Sequence, residues 1–346
     1  MNSNKIKRSI KNCYWLFQPI NLLLRLPSLP QKAFRILQED KNCINIIGYR
    51  NTIKLVLYKV LSLLVFDKTR HKLIERKHLL ISEFLRDRYK IIPPNNIPIF
   101  ANNKYKQCIW VCWLQGEDAA PDLVKMCLRQ IRKHSKGHPI HVIDSTNYMK
   151  YVDVPENIVN KYRCGKMLSA HFSDYIRYQL LYRYGGVWLD ATLFVTQDIG
   201  RDGEFDYFLY SAHYKIPQDD NCIAHSRWVT PLFFSKEGNG FMYNTYKLFE
   251  QYHIQYQHCI DYLLIDYIMD YIVSENKEYA HMINSIPYNN EDFQLIYRLY
   301  TKPYDNEIFK KIMKSKTYFY KLTYKNVPDY YKNGKLTTYG YIMQNF

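Results

Sequence analysis

An α/β fold built around a parallel sheet is what this sequence predicts, with a basic helical region before it and mainly helical additions after it. Three observations carry that prediction. Residues 107–144 read as strand, helix, strand. A long helix ending near Tyr184 is followed by Gly185-Gly186 and a short strand that closes on Asp190. A proline-rich break, Ile91-Ile92-Pro93-Pro94-Asn95-Asn96-Ile97-Pro98, separates this part from a first hundred residues of different character.

Residues 1–100 are Gly-poor and carry 19 Lys and Arg against 6 Asp and Glu, a net of +13 out of +16 for the whole chain. So localised a positive field suits an anionic partner, either a membrane surface or a nucleic acid. Ile53, Leu57, Val60, Leu61 and Leu64 recur at helical spacing, with Lys54, Lys59 and Lys68 nearby. Such a helix either packs on the following domain or lies at an anionic bilayer. Near the start, the apolar patch after Lys5, Lys7 and Arg8 is broken by Asn12, Gln18 and Pro19, which argues against a signal peptide. No stretch reaches the roughly 18 apolar residues of a membrane span. The expectation is a soluble or peripheral protein.

The 346 residues are 47% hydrophobic, enough for one large core plus an accessory region. Eight scattered Cys form no CxxC pair and no zinc-ligand spacing, so they read as reduced thiols used as small hydrophobes. No phosphate-cradling Gly-rich loop is present, which argues against a phosphotransferase. Finger spacing, an RNP-like aromatic signature and a helix-turn-helix pattern are also lacking, so no nucleic-acid partner is expected.

From residue 104 the order is strand, helix, strand. Gln107 to Leu114 is a short apolar run suited to a buried strand. Pro121 stands where a helix would begin, and Leu123, Val124, Cys127, Leu128 and Ile131 follow at helical period. Pro139 to Asp144 is the second strand, which makes a parallel βαβ unit. Ligands of open parallel sheets bind at the carboxyl ends of strands, where Gln115, Gly116 and Asp144 lie. Asp144 either accepts hydrogen bonds from a ribose or base, or caps the next turn. Trp113 and Trp188 either stack on base or sugar or pack in the core.

Leu168 to Tyr184 reads as a helix, with Gly185 placed for a left-handed cap and Val187 to Leu189 as the strand that delivers Asp190. Asp174 and Arg177, three apart, share a helix face. An exposed pair of that kind contributes only about 0–1 kcal/mol. Its place just before a turn that aims a carboxylate into a cleft favours a site. Farther on, Trp228 to Phe234 reads as a strand, a helix starts near Asn239, and Asp261 and Asp266 sit on an otherwise apolar helix. They are either buried structural acids or ligands for an acceptor or metal. His213 and His225 read as structural.

The pattern Ser173-Asp174-x-x-Arg177, a Leu-rich helix, then Gly185-Gly186-x-Trp188-x-Asp190-Ala191-Thr192, resembles the capsular polysaccharide synthesis proteins. These are similar to the DXD-type sugar transferases of glycosyltransferase family 32. Ile109 to Gly116 and Ala120 to Val124 resemble that family's opening strand and first helix, so the resemblance covers roughly residues 107–270. It implies a GT-A-like domain over residues 104–346, with a donor-binding core at 104–235 and a helical part at 239–346, behind the basic region 1–100. It further implies a glycosyltransferase that uses a nucleotide-sugar donor, retains anomeric configuration and extends a polysaccharide or lipid-linked oligosaccharide. The expected place is cytoplasmic, peripheral at the inner face of the plasma membrane.

Under that resemblance Asp190, Asp174 and Arg177 form the catalytic group. The donor-binding set comprises Trp113, Gln115, Gly116, Asp144, His171, Ser173, Gly185, Gly186 and Thr192, while Asp261 and Asp266 serve the acceptor or stand behind it. Asp190 is the expected metal ligand for Mn²⁺ or Mg²⁺. Thr192 departs from the pattern, because a second Asp is usual there. Either Asp190 holds the cation with water and an acid from the C-terminal region, or Arg177 and other cations replace it. The same departure motivates a rival: an inactive protein that keeps the fold and organises surface-polysaccharide assembly.

Overall fold

The computed structural model describes residues 29–98, 105–214 and 221–346. The patch after Lys5, Lys7 and Arg8 therefore lies outside the described residues. The chain divides into two compact units between Phe84 and Leu85. In the first, helices α1 (Leu29–Asp40) and α2 (Ile44–Leu64) are followed by α3 (Asp67–Arg88), which runs across the division. Gly48, at φ +77° and ψ +164°, interrupts α2 so that two helical stretches meet there. Lys59 Nζ bonds the buried Asp40 at 2.9 Å and holds α2 against the end of α1. Phe34, Leu37, Ile44, Tyr49, Ile53, Leu57 and Leu64 nevertheless stay exposed. No helix of the described residues is long and apolar enough to cross a membrane.

The second unit is a mixed α/β structure with a five-stranded sheet, as expected in outline. β1 (Ile109–Cys112), α4 (Asp122–Lys133) and β2 (Ile140–Ile143) form the parallel unit read from the sequence. Pro121 stands at the N-cap of α4. α5 (Glu156–Arg163) leads to α6 (Ser169–Tyr184), β3 (Gly186–Leu189) and β4 (Leu193–Val195). β5 (Leu209–Ser211) and β6 (Leu232–Ser235) complete the sheet in the order β2-β1-β3-β6-β5. β3 is parallel to β1, whereas β6 runs antiparallel to both β3 and β5. The strand expected from Trp228 thus begins only at Leu232, after Pro231.

α7 (Gly240–Gln255) starts at Asn239, whose side chain accepts from the backbone of Phe241 and Met242. α8 (Leu264–Glu275), α9 (Lys277–Asn284), α10 (Leu295–Leu299) and α11 (Asn306–Met313) follow. The C-terminal part also contains strands the sequence did not announce: β7 (Phe319–Lys321) and the hairpin of β8 (Tyr331–Lys332) and β9 (Lys335–Leu336). α12 (Thr338–Asn345) ends the chain. Asp266 lies on α8 as expected, but Asp261 precedes it, in a turn where its carboxylate accepts from Leu263 N at 3.0 Å.

One face of the sheet buries Ile109, Val111, Val187, Leu189, Leu232 and Phe234 against Val124, Leu128 and Ile131 of α4. α6 is buried on almost every side, as an internal helix must be to justify its central place. The Gly-Gly pair explains how β3 enters the sheet. A Cβ on Gly186, at φ +85°, would stand 2.3 Å from the Cys108 carbonyl oxygen. One on Gly185 would stand 2.7 Å from both Ser235 O and Glu237 N. Gly185 has positive φ as expected but ψ of −147°, a region open essentially to glycine alone rather than the left-handed helical cap.

Candidate active site

The parallel strands β1 and β3 both end at a cleft of about 540 Å³. The turn after β1 brings Trp113, Leu114 and Gln115 to it, α6 brings His171, Ser173, Asp174 and Arg177, and the turn after β3 brings Asp190 and Thr192. A carboxyl-end position between parallel strands is where α/β sheets place their ligands.

At its centre is a connected set of charges. Arg177 Nη1 donates to Asp174 Oδ1 at 2.7 Å and Nη2 to Asp190 Oδ1 at 3.0 Å. Trp188 Nε1 donates to the same Asp190 oxygen at 3.0 Å, and its ring lies under the guanidinium at 4.8 Å. Lys321 Nζ donates to the other oxygen, Oδ2, at 2.6 Å. Burial works against the Asp190 anion, yet Lys321 and Arg177 hold its carboxyl well below the ordinary carboxylate range. Asp174 differs: burial outweighs Arg177 and pushes its carboxyl up. The two acids that share one arginine are thus driven in opposite directions, a pattern typical of functional sites.

Of the residues expected at the site, Trp113, Gln115, His171, Ser173, Asp174, Arg177, Asp190, Thr192 and Asp266 line this cleft. Several have structural partners. Ser173 shares a hydrogen bond with Cys112, whose thiol burial pushes up to about 12 despite that bond. His171 uses Nε2 on Tyr262 O at 2.9 Å and Nδ1 on Cys259 Sγ at 3.3 Å, so neither ring nitrogen is open to a ligand. Asp266 accepts from Trp228 Nε1 at 2.9 Å. Trp188 is a core residue that orients Asp190 rather than a stacking platform. Trp113 keeps a buried Nε1 with no hydrogen-bond partner, beside the Tyr324 ring at 5.3 Å.

Five expected residues lie elsewhere. Gly116, at φ +83°, turns the chain after β1, with its N–H bonded to Trp113 O at 2.9 Å. Asp144 accepts from Thr146 N at 2.7 Å, Thr146 Oγ1 at 2.6 Å and Asn147 N at 3.0 Å, so it caps the turn after β2. Gly185 and Gly186 stand at the opposite end of β3 from Asp190, where close backbone packing needs them. Asp261 holds its own turn. Conversely, sequence reading missed Lys321, Tyr324 and Lys325, which line the cleft from the C-terminal segment.

The donor set fits a divalent cation poorly. Such an ion prefers several carboxylate oxygens, but Asp190 presents both of its own to protein cations and indole, and position 192 is a threonine. Among the described residues no group of three or more His, Cys, Asp or Glu is placed to hold a metal.

The family model of capsular polysaccharide synthesis proteins matches residues 62–342. A stretch of 100 residues is 29% identical to the O-glycosyltransferase braB of Annulohypoxylon truncatum, covering 26% of this chain and 24% of that protein. The chain therefore matches about a quarter of the length of that curated relative. No solved structure matches it.

Proposed function

The chain belongs to the capsular polysaccharide synthesis protein family, and from that premise we propose that it is a glycosyltransferase with a GT-A-like domain. Its donor is a nucleotide-diphosphosugar and its acceptor a growing polysaccharide or lipid-linked oligosaccharide. The observation that carries this reading is the Asp174–Arg177–Asp190 network at the carboxyl ends of β1 and β3. Burying such charges costs several kcal/mol that a hydrophobic core would not incur. Placing them at a sheet's ligand-binding edge gives that cost a purpose. The distant likeness to an O-glycosyltransferase agrees with it.

In the reaction, the bond from the sugar C1 to the diphosphate oxygen breaks and its electron pair leaves with the diphosphate. The acceptor oxygen bonds C1 on the same face, which gives retention, and its proton passes to the departing phosphate oxygen. No protein nucleophile is required. Asp190 stays ionised throughout, and with about four acceptor positions on a carboxylate it has one left beyond Arg177, Trp188 and Lys321 for a sugar hydroxyl. Trp113 offers its indole to base or sugar from the cleft wall.

A thermal-shift screen against UDP-, GDP-, CMP- and TDP-sugars tests the reading, because a ligand that binds only the folded state raises its stability. One nucleotide class should shift the transition and support transfer or slow donor hydrolysis. A folded sample that responds to none of them would refute the assignment.

The exposed apolar side chains of α1 and α2 stand among exposed Lys32, Arg50 and Lys54, which favours a cytoplasmic enzyme peripheral to an anionic membrane. Replacing Ile53, Leu57 and Leu64 together by Ser should reduce sedimentation with anionic vesicles about tenfold. Equal sedimentation of the two proteins would remove the membrane from this account.

A further inference from the structure

A leaving diphosphate needs positive charge beside it, yet the acids of this cleft fit a divalent ion poorly. Lys321 takes an oxygen of Asp190, the acid expected to ligate such an ion. Its Nζ is 2.6 Å from Asp190 Oδ2, and its side chain remains 30% exposed. An ammonium carries three donors, of which Asp190 takes one. Arg177 is less available: its side chain is only 6% exposed, and its two terminal nitrogens are bonded to Asp174 and Asp190. Lys325, four residues beyond Lys321, lines the same cleft and is exposed.

The backbone fixes Lys321 in place. β7 pairs antiparallel with β4 so that Lys321 lies opposite Leu193, and Leu322 N bonds Thr192 O at 3.0 Å. The ammonium is therefore anchored to the turn that carries Asp190 and Thr192, not to a free tail. Charge follows the same logic. Two carboxylates around a divalent cation sum to zero, and so do Asp190, Thr192 and Lys321. A neutral threonine and a lysine together reproduce the electrostatics of a second acid and a metal.

We propose that Lys321, with Lys325 beside it, is the fixed cation that receives the donor diphosphate, so that this protein binds a nucleoside diphosphate without a divalent ion. The inference rests on the glycosyltransferase reading above. As the C1–oxygen bond breaks, both ammonium groups keep their protons and donate hydrogen bonds to the oxygens on which charge accumulates.

Calorimetric titration of the full chain with UDP, GDP, CDP, ADP and TDP, in EDTA and again in Mn²⁺, tests it. One diphosphate should bind in EDTA, with a Kd that changes less than about threefold when Mn²⁺ is supplied. Lys321→Met and Lys325→Gln should each weaken it by about tenfold or more, with Mn²⁺ giving no rescue. Lys321→Arg should keep most of the affinity. Lys325 is exposed, so Lys325→Gln does not depend on refolding a buried site. Binding that appears only with Mn²⁺, or that neither substitution weakens, overturns the proposal and leaves the glycosyltransferase reading standing. If no diphosphate binds in either condition, that reading falls and this proposal with it.

Discussion

The two walls of the cleft hold their charges differently. On the wall made by α6 and β3, Arg177 is shared by Asp174 and Asp190, with Trp188 packed beneath, which leaves that wall with a formal excess of one negative charge before Lys321 is counted. Their geometry is set before any ligand arrives, which is the condition for electrostatic catalysis without reorganisation. On the C-terminal wall, Lys321 spends one of its donors on Asp190, while Tyr324 and Lys325 are exposed. The first wall directs both terminal nitrogens of Arg177 to its own acids and leaves only the buried Nε without a partner, while the second has exposed donors to spare. A ligand rich in anionic oxygens meets little free charge on the first and finds it on the second. Asp190 carries the charge that joins them.

Breaking that junction should produce the largest effect. Asp190→Asn keeps the shape of the side chain but removes the anion that Arg177 and Lys321 share. Transfer should fall by about 10²–10³-fold, and the melting temperature should drop as well, since the buried Arg177 loses one of its two carboxylate partners. Initial rates at saturating donor, together with a thermal melt, check both. Unchanged turnover in a folded variant would mean that the two walls do not communicate through this carboxylate.

The walls also differ in how far their chemistry could be read from the chain. Asp174, Arg177 and Asp190 lie within 17 positions of one another, on a helix and strand long enough to show their periods. The Gly-Gly turn between them marks the junction, although its glycines serve the approach of Cys108 and Ser235 rather than the donor. Lys321 stands 131 residues from Asp190 and reaches it through β4 and β7, strands of three residues each. Three residues cannot display an alternation, and a Tyr-rich stretch reads as a tail. Asp144 illustrates a different difficulty. A carboxylate at a strand end suits a ribose and a turn equally well, and only its three short bonds to Thr146 and Asn147 decide for the turn. The antiparallel β6 and β5 likewise follow from pairing across the sheet, which no local pattern reports.

A smaller effect tests whether the α6 wall depends on a neutral backing. His171, on the α6 side, reaches Cys259, and Cys259 lies 3.8 Å from Nε2 of the buried His253. Burial, with His171 and Lys161 adding to it, keeps the His253 imidazole well below its ordinary pKa. The folded protein therefore holds this ring neutral, while the unfolded chain protonates it below about pH 6.5. The unfolded state then binds more protons, so stability rises with pH in this window and is lost as pH falls below 6.5. The slope approaches about 1.4 kcal/mol per pH unit only well below that point. His134, His138 and His141 are also depressed by burial and add to the slope, so the difference between wild type and His253→Asn isolates this residue. Denaturation at pH 7.5 and 5.5 should show the variant losing about 1.4 kcal/mol less than wild type across the whole interval. Parallel slopes would place the ring in an environment that water and protons reach, and the backing of the α6 wall would not be dry.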